Sequence, residues 1–228
     1  MANVAVKASF RLNTGEIVDM NTTMAEGTAT ELQTSTTYAV AAVSIGQYAE
    51  GKSIVSIIQP PSAPNGIAYA YVNRRGEILC ALPVAVEGVQ VQPSPMPFNF
   101  VLQAGDTIQV MANTAADREF SYSVITNDNV HAIFAATPSG AGNVELTHIL
   151  SGQGIGASLT GKRIRSHWAT SVDGSKLTSG GGVYVLNDRG LPIGGTAATK
   201  PQNLQVAPNA LGTATLGLNF VARVSTSS

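Results

Sequence analysis

Residues 37–56 read TYAVAAVSIGQYAEGKSIVS, and residues 147–166 read THILSGQGIGASLTGKRIRS. Laid over one another without a gap, they place Thr37, Ile45, Gly46, Gly51, Lys52, Ile54 and Ser56 on Thr147, Ile155, Gly156, Gly161, Lys162, Ile164 and Ser166. Self-similarity at such a distance means that one structural unit occurs twice in the chain. Two further matches follow in the same order. YAYVNRRGEIL (Tyr69 to Leu79) matches VYVLNDRGLPI (Val183 to Ile193), pairing Asn73, Arg75 and Gly76 with Asn187, Arg189 and Gly190. FSYSVIT (Phe120 to Thr126) matches FVARVST (Phe220 to Thr226), pairing Phe120, Val124 and Thr126 with Phe220, Val224 and Thr226. The polar stretch Asn127-Asp128-Asn129 then marks the junction, giving one module over residues 1–126 and a second over 127–228.

The pattern inside each half is that of strands. Short or alternating apolar runs, bounded by Gly, Pro and Asn, span Thr37 to Ile45, Lys52 to Ile58, Ile67 to Asn73, Glu77 to Leu82, Phe98 to Leu102, Thr107 to Met111 and Phe120 to Thr126. Helical periodicity is hard to find, and Gly 23 and Pro 11 weigh against helices. Asn13-Thr14-Gly15-Glu16, between apolar residues from Ala8 to Met20, reads as a hairpin turn. Asn73-Arg74-Arg75-Gly76 and Asn187-Asp188-Arg189-Gly190 read as two more, the glycine supplying positive φ. Asn21 to Ser35 is polar and reads as a long loop or arm, with Thr137 to Gly142 as a shorter one. The fold class predicted is all-β: two tandem β-sandwich (jelly-roll-like) modules related by internal duplication.

Composition narrows the function. Of 228 residues only 12% are charged, against roughly 25% in ordinary domains. With Lys+Arg 13 and Asp+Glu 14 the net charge is −1, so little long-range repulsion opposes contact between copies. The basic clusters, Arg74-Arg75 and Lys162 to Arg165, are short, which argues against a specific nucleic-acid partner. No apolar run reaches the roughly 20 residues of a membrane span. MANVAVKASFRLNTGE lacks the form of a signal peptide, and Cys80 is alone, so synthesis in a reducing cytoplasm is expected.

Residues able to do chemistry are scattered. His131, His148 and His167 lack metal-ligand spacing with each other or with Cys80, which falls in a strand and reads as a buried inert thiol. Gly152-Gln153-Gly154-Ile155-Gly156 has no helix expected after it and no Lys-Ser/Thr ending, and Ser179 to Gly182 precedes a strand, so neither reads as a phosphate loop. Asp106, Asp117, Asp128, Asp173 and Asp188 sit singly in turns, where Asp caps backbone. Asp128 between two Asn residues lacks the Gly and distal Glu of a calcium loop. Trp168 beside His167 reads as a core or subunit-contact residue, in preference to a sugar-stacking platform. The expected chain is not an enzyme; it has no catalytic, cofactor-binding or metal residues, no cofactor and no small-molecule substrate.

GKSIVS/GKRIRS and YVNRRGEI/VLNDRGLPI, in a neutral chain rich in small residues, resemble the duplicated modules of virion structural proteins, notably bacteriophage capsid or capsid-decoration proteins. That resemblance implies a decoration or cement protein, or a minor or major coat subunit, made in the host cytoplasm and located in the virion. Its partners would be other copies of itself and other capsid or virion proteins. Candidate contact elements are Ala2 to Arg11, Asn21 to Ser35 and Pro93-Ser94-Pro95-Met96-Pro97, with residues 2–11 expected to be dispensable for folding. A carbohydrate-binding or adhesion module is the alternative, weakened by a thin aromatic supply of Trp 1, Tyr 6 and Phe 6.

Overall fold

The computed structural model describes residues 4–24, 28–36, 41–63, 69–82, 84–86, 94–95, 100–111, 120–136, 142–171, 182–197 and 215–226. Chain contacts divide it into two compact units, Met1–Ala115 with Pro201–Leu204, and Ala116–Lys200 with Gln205–Ser228.

In the first unit the chain forms β1 (Val4–Leu12), β2 (Ile17–Met24), β3 (Thr30–Thr34), the one-turn helix α1 (Ile45–Ala49), β4 (Ile54–Ala63), β5 (Tyr69–Arg74), β6 (Glu77–Leu82), β7 (Ala85–Val86), β8 (Ser94–Pro95) and β9 (Asp106–Met111). The nine strands make one sheet, β6-β5-β9-β3-β2-β1-β4-β7, with β8 also on β4. Its β4-β1-β2-β3 portion has the order of a Greek key. β1 alternates strictly: Val4, Val6, Ala8, Phe10 and Leu12 are buried, while Ala5, Lys7 and Arg11 are exposed. That period of two puts one face on a core. Ile57 of β4 and Cys80 of β6, from opposite ends of the sheet, lie in that same core, so the sheet curls around it.

The second unit contains β10 (Phe120–Thr126), β11 (His131–Ala136), β12 (Gly142–Glu145), β13 (Thr147–His148), the one-turn helix α2 (Ile155–Leu159), β14 (Ile164–Ser171), β15 (Gly182–Leu186), β16 (Pro192–Ala197) and β17 (Val221–Thr226). They form two four-stranded sheets, β13-β11-β10-β14 and β12-β17-β15-β16, around a core that includes Phe120, Tyr122, Phe134, Leu159 and Val185.

The pairings of the two units correspond. β1 pairs with β2 and β4, as β10 pairs with β11 and β14. β5 pairs with β6 and β9, as β15 pairs with β16 and β17, and β3 joins β9 as β12 joins β17. The units differ at β3, which also pairs with β2 and so fuses the first unit into one continuous sheet. Two separate sheets, expected in both halves, are therefore present in the second unit alone.

Several sequence expectations need correction. The boundary at residues 126 and 127 falls inside the β10–β11 hairpin: Asn129 takes φ 64° and its N–H donates to Thr126 O at 3.0 Å. A polar Asn-Asp-Asn run suits a tight turn as well as a linker, and here it is the turn. The match of Phe120–Thr126 with Phe220–Thr226 also fails, because β10 occupies the pairing position of β1 while β17 occupies that of β9. Alternating apolar strands resemble one another whatever their place in a sheet. The stretch Asn21 to Ser35 is no arm, since β2 runs to Met24 and β3 begins at Thr30. Of the segment Ala2 to Arg11, residues 4–11 form no arm either: β1 is an interior strand, hydrogen-bonded on both edges, and residues 2 and 3 lie outside the described residues. Of the proline-rich segment, Ser94 and Pro95 pair with Ile57 and Ser56 of β4; Pro93, Met96 and Pro97 lie outside the described residues, as do residues 37–40 and Thr137 to Ala141.

Of the strand expected from Thr37 to Ile45, residues 41–44 are not strand, and Ile45 opens α1. Ser44 caps that helix, its Oγ accepting from Gln47 N at 3.2 Å. Ile45 with Ala49, and Ile155 with Leu159, are buried at the i, i+4 spacing of a helix face. Gly51 and Gly161, both at φ 78°, end the turns. A helix thus does follow Gly152-Gln153-Gly154, contrary to expectation, although it is only five residues long.

Candidate functional site

The best-defined polar constructions lie where each short helix meets the hairpin turn and the final strand. In the first unit, Asn13 N donates to Ser53 O at 2.9 Å and Ser53 N to Asn13 Oδ1 at 3.1 Å. In the second, Asn127 N donates to Arg163 O at 2.9 Å and Arg163 N to Asn127 Oδ1 at 3.1 Å. The lysine after each positive-φ glycine reaches the same turn. Lys52 Nζ donates to Glu16 Oε2 at 2.8 Å, while Tyr48 Oη donates to Glu16 Oε1 at 2.6 Å. Lys162 Nζ donates to Asp128, which also accepts from Thr126 Oγ1 at 2.5 Å. These contacts, Lys52 first, hold the Glu16 carboxyl below its usual range; Lys162, then Thr126, take Asp128 down to about 2. Asp128, the residue weighed against a calcium loop, is thus the acid end of a lysine tether.

Leu102 and Leu216 complete the correspondence. Gly51 N donates to Leu102 O and Leu102 N to Lys52 O, at 2.9 and 2.8 Å; Gly161 N donates to Leu216 O and Leu216 N to Lys162 O, both at 2.9 Å. Each helix rides directly on the turn that follows. A Cβ on Gly46 would lie 2.6 Å from Asp106 N and 2.7 Å from Asp106 O; one on Gly156 would lie 2.5 Å from Gly217 O and 2.6 Å from Phe220 N. No side chain fits at either position.

The turn after Leu102 also carries the one buried carboxylate among the described residues. Asp106 is 0% exposed and accepts from Arg74 Nε and Nη2, both at 2.7 Å, and from Gln103 N at 2.9 Å. Arg74 Nη2 donates further to Val101 O at 2.9 Å. The paired carboxylate pushes the Arg74 guanidinium up from its already high value. In sequence Asp106 looks like any turn aspartate, and no local signal announces that Arg74, on a different hairpin, closes over it. Two shallow recesses flank this turn, one of about 290 Å³ bordered by Glu50, Arg74 and Arg75, the other of about 350 Å³ bordered by Glu31, Gln33 and Gln47. Asp106 is already held by three donors, and Glu50 and Arg75 are exposed residues of opposite charge. Ion pairing and hydrogen bonding are the chemistry this arrangement offers.

Neither a protein-family model, nor a curated protein, nor a solved structure matches the chain.

The other residues singled out from sequence are dispersed. Cys80 is fully buried on β6, and burial pushes its thiol well up. His131, His148 and His167 fall on β11, β13 and β14 of one sheet. His167 is 0% exposed, with Nδ1 2.5 Å from the hydroxyl of buried Tyr122. Trp168 pairs in register with Ser123. Asp188 is an exposed turn residue, whereas Asp117, Asp173 and Ser179 to Gly181 lie outside the described residues. Among the described residues, no three His, Cys, Asp or Glu side chains gather as a metal set. No described helix is long and apolar enough to cross a membrane.

Proposed function

We propose that this chain is a structural subunit of a virion, a decoration or cement protein or a coat subunit, built from two copies of one β-sandwich module and acting by assembly, without catalysis. The single observation that carries the reading is the twofold occurrence of one pairing scheme, down to the Asn13/Asn127 and Lys52/Lys162 anchors. Duplicated sheets joined to a nearly uncharged composition, with net charge −1, suit a particle whose surfaces are covered by neighbours.

With β1, β2, β3 and β8 engaged in sheet pairing, the contact elements shift to loop tips. Val101, Leu150, Leu191 and Leu218 are 57%, 48%, 57% and 63% exposed, each on a turn or loop outside the strands and helices. Large apolar side chains at such positions supply anchors for a neighbouring subunit. Sedimentation of the purified chain tests the reading: concentration-dependent association is expected, weakened when Leu191 and Leu218 are changed to Ser. A strict monomer at all concentrations that binds glycans on an array overturns it in favour of the adhesion module.

A further inference from the structure

All three histidines of the chain lie on one four-stranded sheet, β13-β11-β10-β14, and none lies in the first unit. The deepest is His167. Its register position, opposite Val124 of β10, corresponds to that of Ile57 opposite Phe10 of β1 in the other sheet. One core thus holds an imidazole where the other holds an aliphatic side chain.

The surroundings of that ring accept one protonation state. Nδ1 is 2.5 Å from Tyr122 Oη, and the rings meet edge-on with centroids 5.4 Å apart. Nε2 is buried and has no hydrogen-bond partner among the described residues. Burial keeps the phenol protonated, and its hydroxyl shares one hydrogen bond with Nδ1 of a neutral ring, the direction following the ring's tautomer. From β10 the ionisable group facing it is Tyr122; α2 and β16 carry no ionisable residue. Arg165 of its own strand, Arg163 just before that strand, Arg223 of β17 and Glu145 of β12 are all exposed. Burial alone accounts for the ring's shift to about 4. A second proton would place a cation in the core with no described carboxylate to receive it.

The geometry points to an acid-sensitive element: the β13-β11-β10-β14 sheet opens on acidification with His167 as its trigger, while the nine-stranded sheet stays closed. In the neutral state the ring is an ordinary polar member of the core. As pH falls below the ordinary histidine range of about 6.5, any opened conformation takes up a proton that the closed one refuses, so opening is favoured progressively down to about 4. His131 adds to this in the same direction, since burial and then Arg165 lower it to about 4. The half-buried His148, lowered by burial, adds less.

Hydrogen–deuterium exchange of the intact chain, normalised to intrinsic amide rates, tests this. Between about pH 7.5 and about pH 4.5, opening of Phe120–Thr126 and Ile164–Ser171 is expected to rise at least roughly 50- to 100-fold, the share of His167 alone, against less than about 5-fold for β1 and β4. His167→Ile, which installs the first unit's residue, is expected to cut that rise about tenfold or more. His167→Gln, a neutral polar replacement at every pH, does the same should the Ile variant fail to fold. An equal rise in both sheets, or an unchanged rise in a folded His167 variant, overturns the inference.

Discussion

Asp106 and Arg74 form the chain's most demanding contact, because a fully buried carboxylate tolerates neither partial pairing nor water in place of its donors. Asp106→Ala strands the guanidinium and frees Gln103 N, and is expected to cost about 3 kcal/mol, read as a lowered urea midpoint with unchanged slope. Gly46 and Gly156 are constrained from another side. Their φ values are ordinary, and what excludes a methyl group is backbone packed within 2.7 Å of where it would stand. Gly46→Ala should therefore cost about 2–3 kcal/mol, detectable by thermal unfolding, although alanine is the better helix former. Lys52→Met is the contrasting case. The Lys52–Glu16 pair is about one-third exposed on both sides, so its removal is expected to cost less than about 1 kcal/mol.

Among the elements, β1 and the hairpin turns hold different kinds of information. The β5–β6 turn closes on Arg75 and Gly76, at φ 52° and 87°, so both central residues take left-handed backbone. The β15–β16 turn inserts Asp188-Arg189-Gly190, of which Gly190 alone has positive φ, at 72°. The Asn-x-Arg-Gly pattern announced both turns, because turn chemistry is written within four residues. β1 is otherwise. Its residues announce a strand, yet nothing local says whether that strand is a free arm or sits inside a sheet. Pairing with β2 and β4 puts it inside, and removal of residues 4–12 should abolish the first unit's fold, seen as loss of near-UV circular dichroism and of dispersed amide resonances. An assembly-specific defect in an otherwise folded truncation would contradict this.

For the whole molecule, the second unit governs the response to acid. His131 and His167, both at about 4 when folded, bind protons more weakly than in the unfolded chain. Stability contributed by their neutral burial is complete above about pH 6.5 and is lost as pH falls towards 4, for a total of a few kcal/mol. Glu31, whose carboxyl burial pushes up, works in the opposite sense and regains some stability over the same range. Urea midpoints should accordingly fall between about pH 7 and about pH 4.5, with the histidine-free unit following later. Net charge gives a second expectation at this scale. At −1 the chain has little field to screen, so its association should vary little with added salt, as sedimentation at low and high ionic strength would record.

By itself the sequence determined the sheet-built character of the chain, most strand positions, the hairpin turns, and the recurrence of Ile-Gly, Gly-Lys and Asn-x-Arg-Gly along it. All of these depend on periodicity or on turn residues within a few positions of one another. Tertiary structure alone decided that α1 is helical, that Asn127–Asn129 turns within a unit, that β1 is interior, and that Asp106 and His167 are buried. Each of those outcomes rests on which distant segment lies alongside, and short-range side-chain pattern is the same whether a polar residue meets water, an arginine from another hairpin, or a tyrosine across a strand.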